Sequence, residues 1–234
     1  KESEYAQAVV INAGIANACT GAEGMGYCAE TAQAASAALN VPESAVLVAS
    51  TGVIGMQIPV DRISSGIEKL VAAKAASLIG PEDFVYLDAG TTTACMLTYL
   101  TEKSATFVTN AVAHAKALAA AGFRVYLVGG ELKGSTEAVV GNQALVNLQS
   151  YHFTKGFFGT NGISRQNGLT TPDMNEAMVK KTAMGQCREV FVLADHSKFG
   201  NISSVTFGSF QNGTILTDTC PEEYKNSGNV VICG

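Results

Sequence analysis

Between Phe84 and Leu193 the chain repeats one pattern. A short apolar run ends in small or polar residues, and a helical stretch follows. The runs are Phe84–Leu87, Ala105–Val108, Phe123–Val128, Lys155–Phe158 and Glu189–Leu193. They are followed by D-A-G-T-T-T (88–93), T-N (109–110), G-G-E (129–131), G-T-N-G (159–162) and A-D-H-S-K (194–198). Continuous apolar strands alternating with helices predict an α/β fold, an open and mostly parallel sheet with helices on both faces. In such a sheet the carboxyl ends of the strands share one edge, and ligands bind outside it. One such end is an ordinary turn; five on one edge predict a ligand site.

The first of these ends carries the sharpest chemistry. After Leu87 come Asp88 and Gly90, then Thr91, Thr92 and Thr93, and then the helical Ala94–Leu97. Free amides at a helix start, with hydroxyls beside them, suit a phosphate or carboxylate. The alternative is that the threonines only cap a helix. Gly90, Gly129 and Gly159 would keep the pocket floor open. Asp195 would take sugar hydroxyls and Lys198 would supply a cation for phosphate. His196 reads as a loop histidine. Gly168–Asp173 reads as a turn into a helix (Asp173–Cys187) that could close over the pocket, with Asp173 and Glu176 at capping-box spacing.

The 234 residues suffice for one large or two small domains, and 47% of them are apolar. A net charge of −5 is a poor electrostatic footprint for nucleic acid. The six cysteines form no C-x-x-C pair and the three histidines lack ligand spacing. Reduced, buried thiols in a cytoplasmic protein are expected, with no metal and no cofactor. The chain shows no signal peptide and no apolar run of about 20 residues, so no membrane span is expected. It starts at Lys1 rather than Met, as a fragment or a processed product would.

Residues 1–55 read as a β-α-β unit: a strand at Ala8–Ile11, a helix from about Cys28 to Leu39, and a strand at Ser44–Ser50 that ends in T-G-V-I-G. A further helix opens after Pro59 and runs to about Ile79. The motifs N-A-C-T-G (17–21) and A-S-T-G-V-I-G (49–55) resemble the ornithine/glutamate N-acetyltransferase family. That resemblance covers residues 1–70 and implies an oxyanion hole at Thr51 and Gly52. The A-T-M or A-T-L nucleophile segment of that family is missing, and Ile15 replaces its usual Asn.

Residues 71–234 carry D-A-G-T-T-T (88–93), V-T-N (108–110), G-G-E-L (129–132), G-T-N-G-I-S (159–164), G-L-T-T-P-D (168–173) and A-D-H-S-K-F-G (194–200). In order and spacing these resemble the C-terminal effector domain of DeoR-type bacterial regulators. The resemblance implies a ribose-5-phosphate isomerase-like fold and a phosphorylated sugar as effector. It also implies a repressor that meets DNA only through a separate winged helix-turn-helix, missing here, and a homo-oligomer. Carried over, the site comprises Asp88, Gly90, Thr91, Thr92, Thr109, Asn110, Gly130, Asp195 and Lys198, with Glu176 on the lid side. Thr93, Gly129 and Asn161 complete the set. Asn161 stands where the family often has Asp.

Two other readings compete with an effector domain: an acetyltransferase fragment, and a sugar-phosphate isomerase on the same fold. An isomerase needs a positioned carboxylate base, for which Glu176 or Asp195 would have to serve. The expected division is 1–70 and 71–234, whether by natural fusion, engineered chimera or stitched sequence.

Overall fold

The computed structural model describes residues 5–18, 20–39, 41–54 and 60–233. The N-terminal stretch is a β-α-β unit, with β1 (Ala8–Ile15), α1 (Gly21–Leu39) and β2 (Val46–Val53). The two strands pair in parallel, Ala8 opposite Val46 through Ile15 opposite Val53. Helix α1 starts seven residues before the expected Cys28. Strand β2 runs three residues past Ser50, so Thr51 and Gly52 lie in the ladder opposite Ala13 and Gly14, not in a turn after the strand. Gly55 and Pro59, which the readings above include, lie outside the described residues.

Helix α2 (Val60–Ser77) follows and crosses the 70/71 division expected from the sequence. Its Val71, Ala72, Ala75 and Ala76 are buried among residues of the main sheet. That sheet is built from β3 (Phe84–Leu87), β4 (Thr106–Thr109), β5 (Arg124–Leu127), β8 (Phe153–Gly159), β11 (Cys187–Leu193), β13 (Thr214–Thr217) and β14 (Val230–Ile232). Its strand order is β14-β13-β11-β8-β3-β4-β5, and every pair is parallel.

Side chains alternate across the sheet and fill two cores. Tyr86, Val108, Phe158, Val192 and Ile215 meet α5 (Asn142–Gln149) and α6 (Met174–Gly185). Val85, Leu87, Phe107, Phe157, Phe191, Leu193 and Leu216 meet α2, α3 (Thr91–Met96) and α4 (Val112–Ala120). Helices therefore cover both faces, as the apolar runs predict.

Two stretches depart from the sequence reading. Ala138–Val140, read as the start of a helix to Leu148, is strand β7, paired antiparallel with β6 (Glu131–Lys133). Valines favour the extended backbone, and Gly141 at φ +89° separates them from α5. Gly168–Thr171, read as a turn, is the buried strand β10. It lies between β9 (Gly162–Ser164) and β12 (Val205–Gly208), and β12 is too distant in the chain to be seen locally.

The start of β3 is fastened to β8 by Asp83. Its carboxylate accepts from Lys155 Nζ at 2.6 Å, Thr154 Oγ1 at 2.7 Å and the Gly80 amide at 2.7 Å. Burial works to raise this carboxyl, but the three donors outweigh it and hold it below the usual carboxylate value. A lowered folded-state value stabilises the fold above the unfolded-state value, and that contribution is lost as the pH falls through the folded one. Urea midpoints should therefore drop on acidification below about pH 4. Lys155→Met should lower the midpoint at pH 7 and shrink the acid-induced drop.

Candidate functional site

From β3 the chain winds outward to β4 and β5, then returns to β8 on the other side of β3. The direction of winding thus reverses between β3 and β8, where a crevice opens at the carboxyl ends of a doubly wound sheet. The D-A-G-T-T-T turn and the G-T-N-G turn border this point. A Cβ added at Gly90 would lie 3.9 Å from Gly159 Cα, an ordinary contact, and 3.3 Å from the Thr93 hydroxyl, so the two turns approach closely here.

Several of the predicted ligand residues are consumed in building the site. Asp88 is buried; its Oδ2 pairs with Lys180 Nζ and accepts from the Gly159 amide at 3.0 Å. Lys180 also donates to the Gly159 carbonyl at 3.0 Å and lies over the Phe207 ring at 5.4 Å. Asn110 Oδ1 accepts from Tyr86 Oη and the Ala89 amide, each at 3.0 Å, while its Nδ2 donates to the Val139 carbonyl at 3.3 Å. Thr109 Oγ1 accepts from the Ala111 amide. Thr93 donates to the carbonyls of Asp88 and Gly90. These four side chains hold the turns in place, because a buried polar group needs a partner and the nearest ones are backbone.

The rest of the set is divided. Thr91 is exposed and Thr92 half-buried; their amides and hydroxyls have no partner among the described residues. Helix α3 has only six residues, so the anion cradle depends on these donors and less on a macrodipole. Gly129 and Gly130 are exposed beyond the edge strand β5. At Gly130, with φ +152°, a side chain would strike the Val140 carbonyl at 2.6 Å, so its role is to seat the β6–β7 hairpin. Asn161 is exposed and accepts from Thr171 Oγ1 at 3.2 Å.

Asp195 accepts from the Ser197 amide at 2.8 Å and lies 3.4 Å from Lys198, so the expected carboxylate and cation neutralise each other. Burial works to raise the Asp195 carboxyl, but Ser197 and Lys198 outweigh it and lower it. Asp173 caps α6 by accepting from the Glu176 amide at 2.9 Å. Glu176 does not complete the box. Its carboxylate accepts from Lys133 at 2.8 Å and Thr136 at 3.0 Å, tying α6 to the β6–β7 hairpin.

Three residues escape the sequence reading. Lys180 has no local motif and is identified by the partner it meets, 92 positions away. His114 on α4 is buried; its ring faces the Gly90 carbonyl, and its Nδ1 has no partner among the described residues. Burial lowers its pKa, against the pull of Asp88 and Gly90. Asp218 follows β13, whose end is a sixth on the same edge, and it binds His196. Among the described residues no group of His, Cys, Asp and Glu is arranged to hold a metal ion, and no helix is long and apolar enough to cross a membrane.

Removing one partner of a buried pair leaves an uncompensated charge and costs about 3–5 kcal/mol. Lys180→Met should lose about that much in urea unfolding. Adding Asp88→Asn to it should restore a large part, which a double-mutant cycle would measure.

The family model described as "DeoR C terminal sensor domain" matches residues 67–219. An uncharacterized HTH-type transcriptional regulator, FruR, of Bacillus subtilis (strain 168) is 44% identical over 65% of this chain and 61% of its own length. The HTH-type transcriptional repressor GlcR of the same strain is 34% identical over 64% and 58%. The lactose phosphotransferase system repressor of Staphylococcus aureus (strain NCTC 8325 / PS 47) is 32% identical over 68% and 64%. The chain thus spans about three fifths of the length of the curated relatives it matches. Ribose 5-phosphate isomerase A of Methanocaldococcus jannaschii resembles it at TM-score 0.42 and 15% identity, over 58% of this chain and 55% of that one. Residues 1–66 lie outside the family match. That match covers more than half of the chain, and the protein therefore belongs to the DeoR C-terminal sensor domain family.

Proposed function

We propose that residues 71–234 are the sugar-phosphate sensor of a cytoplasmic, homo-oligomeric transcriptional repressor. DNA is met through a separate winged helix-turn-helix, and β1, α1 and β2 form a distinct β-α-β unit, joined to the sensor by the helix α2 that crosses the expected 70/71 division. The observation that carries the sensor reading is the cluster of unspent donors at the crevice between β3 and β8. The amides and hydroxyls of Thr91 and Thr92 lie beside the close approach of the two turns at Gly90. Such a set suits the three acceptor oxygens of a phosphate. The names of the relatives agree with a sugar effector, since one of them is a lactose phosphotransferase system repressor.

An isomerase on this frame needs a free carboxylate base. Asp88, Asp195 and Glu176 are all engaged with lysines, and position 161 is Asn. Acyl transfer by residues 1–70 gains nothing from Thr51 and Gly52, which lie in a β-ladder opposite Ala13 and Gly14 and not in a turn after the strand.

A thermal-shift panel of sugar phosphates tests the sensor. A ligand at about 100 times its Kd adds about 2.7 kcal/mol. For a chain of this size that moves Tm by roughly 5–10 °C. Thr91→Val with Thr92→Val should abolish the shift and leave the unliganded Tm nearly unchanged. If no sugar phosphate moves the wild-type Tm, the proposal fails.

A further inference from the structure

The ends of β11 and β13 hold a pair that the site described above does not use. Asp218 is 5% exposed and commits its whole carboxylate to the neighbouring turn. Its Oδ1 accepts from the His196 amide at 2.7 Å and from Thr217 Oγ1 at 3.2 Å, and its Oδ2 meets His196 Nδ1 at 2.7 Å. Yet the His196 side chain is 62% exposed. Pinning the turn needs only the amide bond. Holding an exposed ring as well costs rotamer entropy that packing does not return here. The arrangement fixes one tautomer: facing a carboxylate, Nδ1 carries the proton, and Nε2 is left as the free face. Nε2 has no partner among the described residues.

We infer that His196, oriented by Asp218, reads a hydroxyl of the sugar at the end of the ligand remote from its phosphate; the inference rests on the sensor reading above. The neighbouring charges select this chemistry. Asp195 and Lys198 neutralise each other at 3.4 Å, and Asp218 adds a buried negative charge. A second phosphate would find no net cation here. A hydroxyl finds an acceptor in Nε2, with the Asp195 carboxylate on the same turn. The placement also fits. In the order β3-β8-β11-β13, the His196 turn follows β11 and its ring leans on Asp218 after β13, which puts it two to three strands from β3, about 10–15 Å at ordinary strand spacing. One sugar phosphate can lie along the edge, its phosphate at Thr91–Thr92 and its far hydroxyls at His196. The 195–200 turn is itself fixed, since the Gly200 amide donates to the Ile163 carbonyl at 2.9 Å.

The test is calorimetric titration of the intact chain with glucose 6-phosphate, fructose 1-phosphate, galactose 6-phosphate, ribose 5-phosphate and inorganic phosphate. Wild type is compared with His196→Ala, His196→Gln and Asp218→Asn. For whichever sugar phosphate binds wild type, His196→Ala should weaken it about tenfold or more, the worth of one hydrogen bond in a partly dry site. Inorganic phosphate should bind both alike. His196→Gln, whose amide oxygen can accept, should recover part of the loss, and Asp218→Asn should fall between. One monodeoxy analogue of that sugar phosphate should bind wild type and His196→Ala equally, which identifies the hydroxyl. His196→Ala leaves Asp218 Oδ2 without its partner and should lower the unliganded Tm by a few degrees, so the titrations are run well below it. If a sugar phosphate binds wild type and His196→Ala alike, this inference falls and the sensor reading stands. If none binds wild type, the sensor reading itself falls.

Discussion

The buried pair of Asp88 and Lys180 is the contact on which the crevice depends. It joins the end of β3 to the middle of α6, and through the Gly159 amide and carbonyl it includes the end of β8. Burying two charges is costly, and a pair of this kind is weak evidence for stability. Its value here is geometric. The two strand ends on either side of the switch point are held at one separation, and α6 cannot slide along the sheet without exposing or orphaning a charge. Asn110 acts the same way on the next strand, joining Tyr86, Ala89 and Val139.

The polar residues at the strand ends therefore divide into two kinds. Asp88, Thr93, Thr109 and Asn110 are spent on holding the edge, and Glu176 on tying the β6–β7 hairpin to α6. In the site proposed above, recognition would fall to the groups left unspent: Thr91 and Thr92 at one end and the Nε2 face of His196 at the other. A rigid edge with few free donors and acceptors is a sound design for a sensor. Each unspent group is positioned before the ligand arrives, so little ordering entropy remains to be lost on binding.

Helix α6 joins the crevice floor to the β6–β7 hairpin. Glu176 and Lys180 are one turn apart, the first bound to the hairpin and the second to the crevice floor. Asp88 and Gly159 on one side and Lys133 and Thr136 on the other thus contact the same short helix.

Much of the fold was legible because parallel strands buried on both faces must be continuously apolar. Phe84–Leu87 is a strand to the residue, and all five predicted strand ends lie on one edge. The capping aspartate of α6 was legible from the spacing of Asp173 and Glu176. Local sequence determined these features because strand periodicity, glycine turns and caps act within a few residues. What it could not determine is which polar residue meets which. Ala138–Val140 became a strand because Glu131–Lys133 and the backbone of Asn110 were there to receive it. Gly168–Thr171 became one because β12 lies beside it. Lys180 is an ordinary helix lysine until the fold carries it to Asp88, and His196 an ordinary loop histidine until Asp218 arrives beneath it. Only tertiary structure decides such pairings, because a buried charge or hydrogen bond depends on groups that are far apart in the chain and close only once the core has formed.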